Sequence, residues 1–195
     1  MGERSNSITR KKFLKLSGGA VGAGLIATSG FSSSTIAQST DLLHRTIHST
    51  GEKVPAVGLG TALEFGDITA NYSKRKNAIK ALIREGGKVI DTSPTYSNAE
   101  KIVGRALDEL GARDKCFLAT KISVRGDKKE GIDQSIQSYK DLKTNSFNLL
   151  QVHNLRGTKA HLETINALKK EGKVSYTGVT HFRDSQNEDA ARVIE

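Results

Sequence analysis

The chain has 195 residues, enough for one domain with a substantial core, and 36% of them are hydrophobic against 26% charged. Net charge is +9, but five of the thirty basic residues lie in the first fifteen positions, and without residues 1–37 the excess falls to +5. So small an excess, with 5% aromatic residues for base stacking, argues against a nucleic-acid partner, and a single cysteine, Cys116, excludes an intrachain disulfide.

Residues 9–37 read TRKKFLKLSGGAVGAGLIATSGFSSSTIA. A basic cluster, a weakly apolar run from Leu16 to Ala27 and a Ser/Thr-rich tail ending in Ala37 are the three regions of an export signal, with cleavage expected after Ala37. The apolar run is too short and glycine-rich for a stable membrane span. Thr9 to Lys15, TRKKFLK, resembles the twin-arginine export motif with Lys11 at the second arginine position. That resemblance implies the twin-arginine export machinery as a partner and the periplasm as destination, with the cytoplasm as the alternative if the signal does not function.

Residues 38–195 read as one unit. His44 to Val57 is expected to form a short hairpin around Thr50-Gly51-Glu52-Lys53. A strand follows at 57–61, then a helix from Ser73 to Glu85 with Ala78, Ile79, Leu82 and Ile83 inward. The strand 88–91 leads through a Pro-containing turn into a helix from Asn98 to Leu110. The strand 116–121 precedes a helix over 131–142, whose expected buried face is Ile132, Ile136, Tyr139 and Leu142. Cys116, in KCFLATK, reads as a buried and inert thiol. Strands at 147–152 and 174–179 flank a helix over 158–171, and Asp184 is expected to cap a last helix. Near-continuous apolar strands alternating with helices predict an α/β fold with a parallel sheet covered by helices.

The polar residues that close these strands are Thr61, Asp91, Lys121, His153 and Thr180, spaced by 30, 30, 32 and 27 residues. One βα unit is about 30 residues, so these side chains fall at equivalent points of successive units, at the C-terminal ends of parallel strands. In a (β/α)₈ barrel that is the active-site face. Tyr96 lies in the loop beside them. The combination fits proton donation to a carbonyl. An ammonium beside a phenol lowers its pKa, a carboxylate orients the ammonium, and an imidazole hydrogen-bonds the carbonyl oxygen. Each residue alone has a bland reading: Asp as a turn or cap residue, Lys as a solvated strand end, His as a structural group. No clustered His, Cys or carboxylate set at metal-ligand spacing is present, so no metal is expected.

The motifs VGLGT at 57–61, VIDTSPTYSNAEKIVGRAL at 89–107, ATK at 119–121, LLQVHN at 149–154 and GKVSYTGVTHF at 172–182 resemble the aldo-keto reductase superfamily, in order along the chain. With the signal, the resemblance is to exported bacterial members. It implies a (β/α)₈ TIM-type barrel, of which five strands are legible and the last three are not, as in a fragment or a truncated gene. It implies NADPH as cofactor and a small-molecule aldehyde or ketone as substrate. The family tetrad falls on Asp91, Tyr96, Lys121 and His153, and cofactor contacts fall on Gly60, Thr61, Asp91, Thr180 and His181. Many relatives carry Ser-Asn where Thr180-His181 stand here. The alternative is a non-catalytic nucleotide-binding or degenerate barrel fragment.

Overall fold

The computed structural model describes residues 42–67 and 71–194, and the export-signal reading of residues 1–37 lies outside them. Strands β1 (His44–Thr46) and β2 (Lys53–Pro55) pair antiparallel as the expected hairpin. Then come β3 (Leu59–Gly60), α1 (Tyr72–Arg84), β4 (Val89–Asp91) and α2 (Ala99–Glu109). They are followed by β5 (Phe117–Ile122), α3 (Lys128–Asp141), β6 (Phe147–His153), α4 (Thr158–Lys170) and β7 (Val174–Thr180). A 3₁₀ turn, Asp184–Gln186, runs into α5 (Asn187–Ile194). No helix among the described residues is long and apolar enough to cross a membrane.

The five strands β3 to β7 are all parallel and stand in sequential order. This order decides the architecture. A doubly wound sheet reverses its strand order at a switch point, whereas here each crossover of the same hand places its helix on one side. Five successive βα units wound in one direction are part of a (β/α)₈ barrel, with helices outside and the other sheet face inside.

Strand alternation divides the residues between these faces. Ile90, Leu118, Ile122, Leu150 and Val152 are all fully buried on the outer face, in one core with Val103, Leu107, Leu142 and Ile165 of the helices and their ends. Burying side chains of this size contributes about 1.5–3 kcal/mol each. The inner face carries Asp91, Lys121, Gln151 and His153. At the opposite end, the Tyr176 hydroxyl donates to Glu52 and lies 2.8 Å from the Thr50 hydroxyl, tying the hairpin to β7.

Two helix faces differ from the sequence expectation. Ala78 is exposed, and Ile136 keeps 45% of its surface. Ile136 lies on a groove between α3 and α4, shared with Ile132, Tyr139, Ala167 and Leu168, which the two helices leave open. Where α2 meets the end of α3 the approach is close: a methyl group on Gly104 would stand 2.2 Å from the Asp141 carbonyl oxygen. Cys116 is buried and burial pushes its thiol pKa up, in keeping with an inert role.

Glu100, on α2, is the unexpected charge of the helical layer. It is 4% exposed and accepts hydrogen bonds from the Thr120 hydroxyl of β5 at 2.6 Å and the Ser138 hydroxyl of α3 at 3.0 Å. Burial pushes its carboxyl up to about 7, against the opposing pull of those two hydroxyls. Because the folded value lies above the unfolded one, this proton stabilises the fold below about pH 4, and the stabilisation is lost as pH rises through about 7. Glu100→Gln is expected to remove that dependence. Urea unfolding at pH 5 and pH 8 checks it: the wild type should lose about 2 kcal/mol relative to the variant over that interval. A constant difference would contradict the burial argument.

Candidate active site

The register shows how the strand ends meet. Gly60 pairs with Asp91 and Asp91 with Ala119, while Lys121 pairs with Gln151 and His153 with Thr180. Equal spacing in sequence therefore does not mean equal height. Lys121 stands two residues above the level of Asp91, and His153 two above Lys121, as strand tilt and stagger in a barrel require. All share one parity, so all point to the inner face.

Lys121 is 4% exposed, and its ammonium donates to Asp91 Oδ2 at 2.6 Å and to the Thr92 carbonyl at 2.8 Å. Asp91 is more open, and its other oxygen accepts from Gln151 Nε2 at 3.3 Å. The ammonium lies 5.1 Å from the centre of the Tyr96 ring, which meets the His153 ring edge-on at 5.9 Å. The structure thus brings together all four residues read from the sequence as a proton-transfer set.

The turn bearing Tyr96 is fixed by contact with the loop after β3. Gly66 is buried there, and a methyl group on it would lie 2.4 Å from the Tyr96 carbonyl oxygen. The Asn98 amide and side chain both donate to the Gly66 carbonyl at 3.4 Å. Ser97, next to Tyr96, takes a left-handed φ of 54° that turns the chain into α2. The Tyr96 hydroxyl makes no hydrogen bond among the described residues.

The electrostatics correct one sequence expectation. The ammonium was expected to lower the Tyr96 pKa, but it is raised, first by burial and then by the Asp91 carboxylate. Lys121 is neutralised by its own ion pair, so its net influence on the phenol is small. The His153 pKa is lowered by burial and by the positive charges of Lys121 and Arg156, partly offset by Asp91. Near neutrality the phenol is protonated and the imidazole uncharged.

Residues unnoticed in the sequence hold that imidazole. His153 Nδ1 lies 2.7 Å from the Ser123 hydroxyl, 3.1 Å from Ser93 and 3.4 Å from Thr95. Ser123 and Ser93 are themselves 3.2 Å apart, and both are buried. The α3 side chain of Gln134 accepts from the Ser123 amide at 2.6 Å and fixes the turn. Nδ1 can accept one of these protons, and Ser123 is its nearest donor, while Ser93 lies within hydrogen-bond distance of both Ser123 and Thr95. With Ser123 donating to Nδ1, the neutral ring carries its proton on Nε2, which has no protein partner among the described residues. The signal was available: Ser93 and Ser123 each stand two residues beyond a tetrad member, on the same side of the chain.

The cofactor positions separate into two groups. Gly60 has open space where a side chain would be, beside Asp91, and Thr180 and His181 are half-buried at the end of β7. Thr61 is fully buried, and both its amide and its hydroxyl donate to the Asp91 carbonyl at 3.0 Å. It fastens β3 to β4 and has no surface on the open end. No group of three His, Cys, Asp or Glu residues that could hold a metal occurs among the described residues.

A singly wound βα sheet with an acid, a lysine, a tyrosine and a histidine at its strand ends defines a class of barrel proteins. Residues 56–194 match the Aldo/keto reductase family, and the chain belongs to it. It is 29% identical over 159 residues to the aldo-keto reductase YhdN of Bacillus subtilis, covering 73% of this chain and 48% of that protein. It is 27% identical over 140 residues to the glyoxal reductase of the same organism, covering 68% and 48%. Among solved structures, an aldo-keto reductase from Klebsiella pneumoniae in complex with NADPH superposes with a TM-score of 0.65 at 26% identity, covering 78% of this chain and 54% of that one. The chain spans about half the length of the curated relatives it matches.

Ser123→Ala removes the 2.7 Å partner of His153. Nitrogen-15 NMR of the histidines in the full-length protein is expected to show the wild-type ring as one Nε2–H tautomer and the variant as a mixture, with Ser123→Thr retaining the single form. A wild-type ring already mixed, or protonated on Nδ1, would contradict the assignment.

Proposed function

We propose that this chain carries the proton-transfer machinery of an NADPH-dependent oxidoreductase that reduces aldehydes or ketones to alcohols. The observation that supports it is the convergence of Asp91, Lys121, Tyr96 and His153 at one end of a barrel sheet. The Klebsiella relative, solved with NADPH, supports the choice of cofactor.

Gly60, Asp91, Thr180 and His181 would hold the nicotinamide end. Gly60 leaves room for a flat ring to approach the backbone, Asp91 has an open carboxylate edge, and the last two residues offer polar groups at the neighbouring strand end. A nicotinamide held there would supply a hydride, two electrons, for the carbonyl carbon.

The chain's own residues supply the rest. His153 donates its Nε2–H to the carbonyl oxygen and fixes its direction. Tyr96 gives its hydroxyl proton to that oxygen as the carbon–oxygen π bond breaks, leaving an alcohol and a phenolate. A raised phenol pKa keeps the donor loaded, and an alkoxide is a far stronger base than a phenolate, so transfer remains downhill. The phenolate then forms beside the Lys121 ammonium, which favours the product of proton transfer more than the neutral phenol. Burial of Lys121 and His153 strengthens these interactions by excluding water. Residues 1–37, in the same reading, address the folded protein to the periplasm through the twin-arginine route.

Tyr96→Phe in the full-length protein removes only the proton donor. Carbonyl-dependent NADPH oxidation should fall about 100- to 10,000-fold in kcat, with NADPH affinity, followed by nicotinamide fluorescence, unchanged. Carbonyl reduction at the wild-type rate would rule out Tyr96 as the acid.

A further inference from the structure

The loops after β5, β6 and β7 each bring one arginine to a single pocket at the same end of the sheet. Arg125, Arg156 and Arg183 line a cavity of about 510 Å³ with Asn154, Phe182 and Gln186, and no acidic side chain lines it. None of the three guanidiniums makes an ion pair among the described residues. Elsewhere exposed cations do pair, as in Lys129–Asp133 and Arg192–Asp189. Three cations facing one cavity repel one another, and an arrangement of this kind is relieved by a bound anion.

The turn that presents the central arginine is strained. Asn154 and Leu155 both take a φ of 55°, directly after His153. A left-handed leucine is strained and persists where the surroundings enforce it. Here the Leu155 amide donates to the Thr180 carbonyl and the Arg156 amide to the His153 carbonyl, each at 3.2 Å. This ties Arg156 to the strand end that carries the imidazole, and the charge of Arg156 is felt at His153. Gly157, also in the lining, begins α4 with no side-chain cap and no acid in the first turn, so nothing there opposes the arginines.

We propose that Arg125, Arg156 and Arg183 form an anion subsite beside His153, which makes the substrate class carbonyl compounds bearing a carboxylate or phosphate. The proposal rests on the carbonyl-reductase reading. Guanidiniums bind carboxylate and phosphate oxygens in pairs, and three of them at one rim orient an anionic tail while the carbonyl end lies at His153. A phosphate of the cofactor has the same chemistry. The substrate is the assigned source because the central arginine is fixed to His153, the residue that orients the carbonyl.

The test compares succinic semialdehyde with butanal in the full-length protein and its Arg156→Gln and Arg125→Gln/Arg183→Gln variants, alongside NADPH affinity by fluorescence. Arg125 and Arg183 are exposed, so the double variant reports on the subsite even if Arg156→Gln folds poorly. Wild type should favour the charged aldehyde in kcat/KM by about tenfold or more, and the variants should lose that preference, with NADPH affinity unchanged. Equal kcat/KM for both aldehydes in the wild type overturns the proposal. So does a preference that the variants retain while NADPH affinity falls, which would assign the arginines to the cofactor's phosphates. If neither aldehyde is turned over, succinate titration by calorimetry decides. Binding that the variants lose upholds the anion subsite and removes the reductase reading, whereas no binding to the wild type overturns the subsite as well.

Discussion

A lysine ammonium that is 4% exposed must find charge and acceptors inside the protein, and this requirement organises the open end of the sheet. Lys121 meets it with Asp91 from the adjacent strand and the Thr92 carbonyl just beyond. Removing one partner of such a pair costs about 3–5 kcal/mol, because the remaining charge stays buried. Asp91 is held in turn from both sides, its carbonyl by Thr61 and its carboxylate by Gln151. Four neighbouring strands, β3 to β6, thus converge on one ion pair.

The pair also decides where protons reside. With its charge balanced by Asp91, Lys121 does not make Tyr96 acidic in the resting state, yet it stands close enough to stabilise a phenolate once one forms. Burial, with the positive charges of Lys121 and Arg156, lowers the His153 pKa. A protonated phenol and a neutral imidazole thus meet edge to face, 5.9 Å between ring centres.

Much of this was legible in the sequence. Apolar strands alternating with helices pointed to a parallel sheet, polar residues spaced by 27 to 32 marked its strand ends, and the family resemblance implied the barrel. What periodicity does not carry is height. The stagger that sets His153 above Lys121, and Lys121 above Asp91, comes from strand tilt, which only pairing reveals. Ser93 and Ser123 were missed because serines near strand ends are common, and only convergence on one nitrogen distinguishes these two. Glu100 was missed for a different reason. In the helical pattern it reads as a solvated first-turn acid, and its burial depends on Thr120 and Ser138, from elements 20 and 38 residues away. The exposure of Ile136 is likewise a property of how α3 and α4 meet, which neither helix encodes alone.

In the proposed function, the charged pair, the phenol and the imidazole serve to protonate an alkoxide formed by hydride transfer. The most direct measurement is the fate of deuterium when the full-length protein is given NADPH labelled at the nicotinamide C4 and an aldehyde. Deuterium on the carbinol carbon of the alcohol, transferred from one face of the nicotinamide only, is the predicted result. An alcohol formed without the label, or NADPH bound with no alcohol formed, would contradict it.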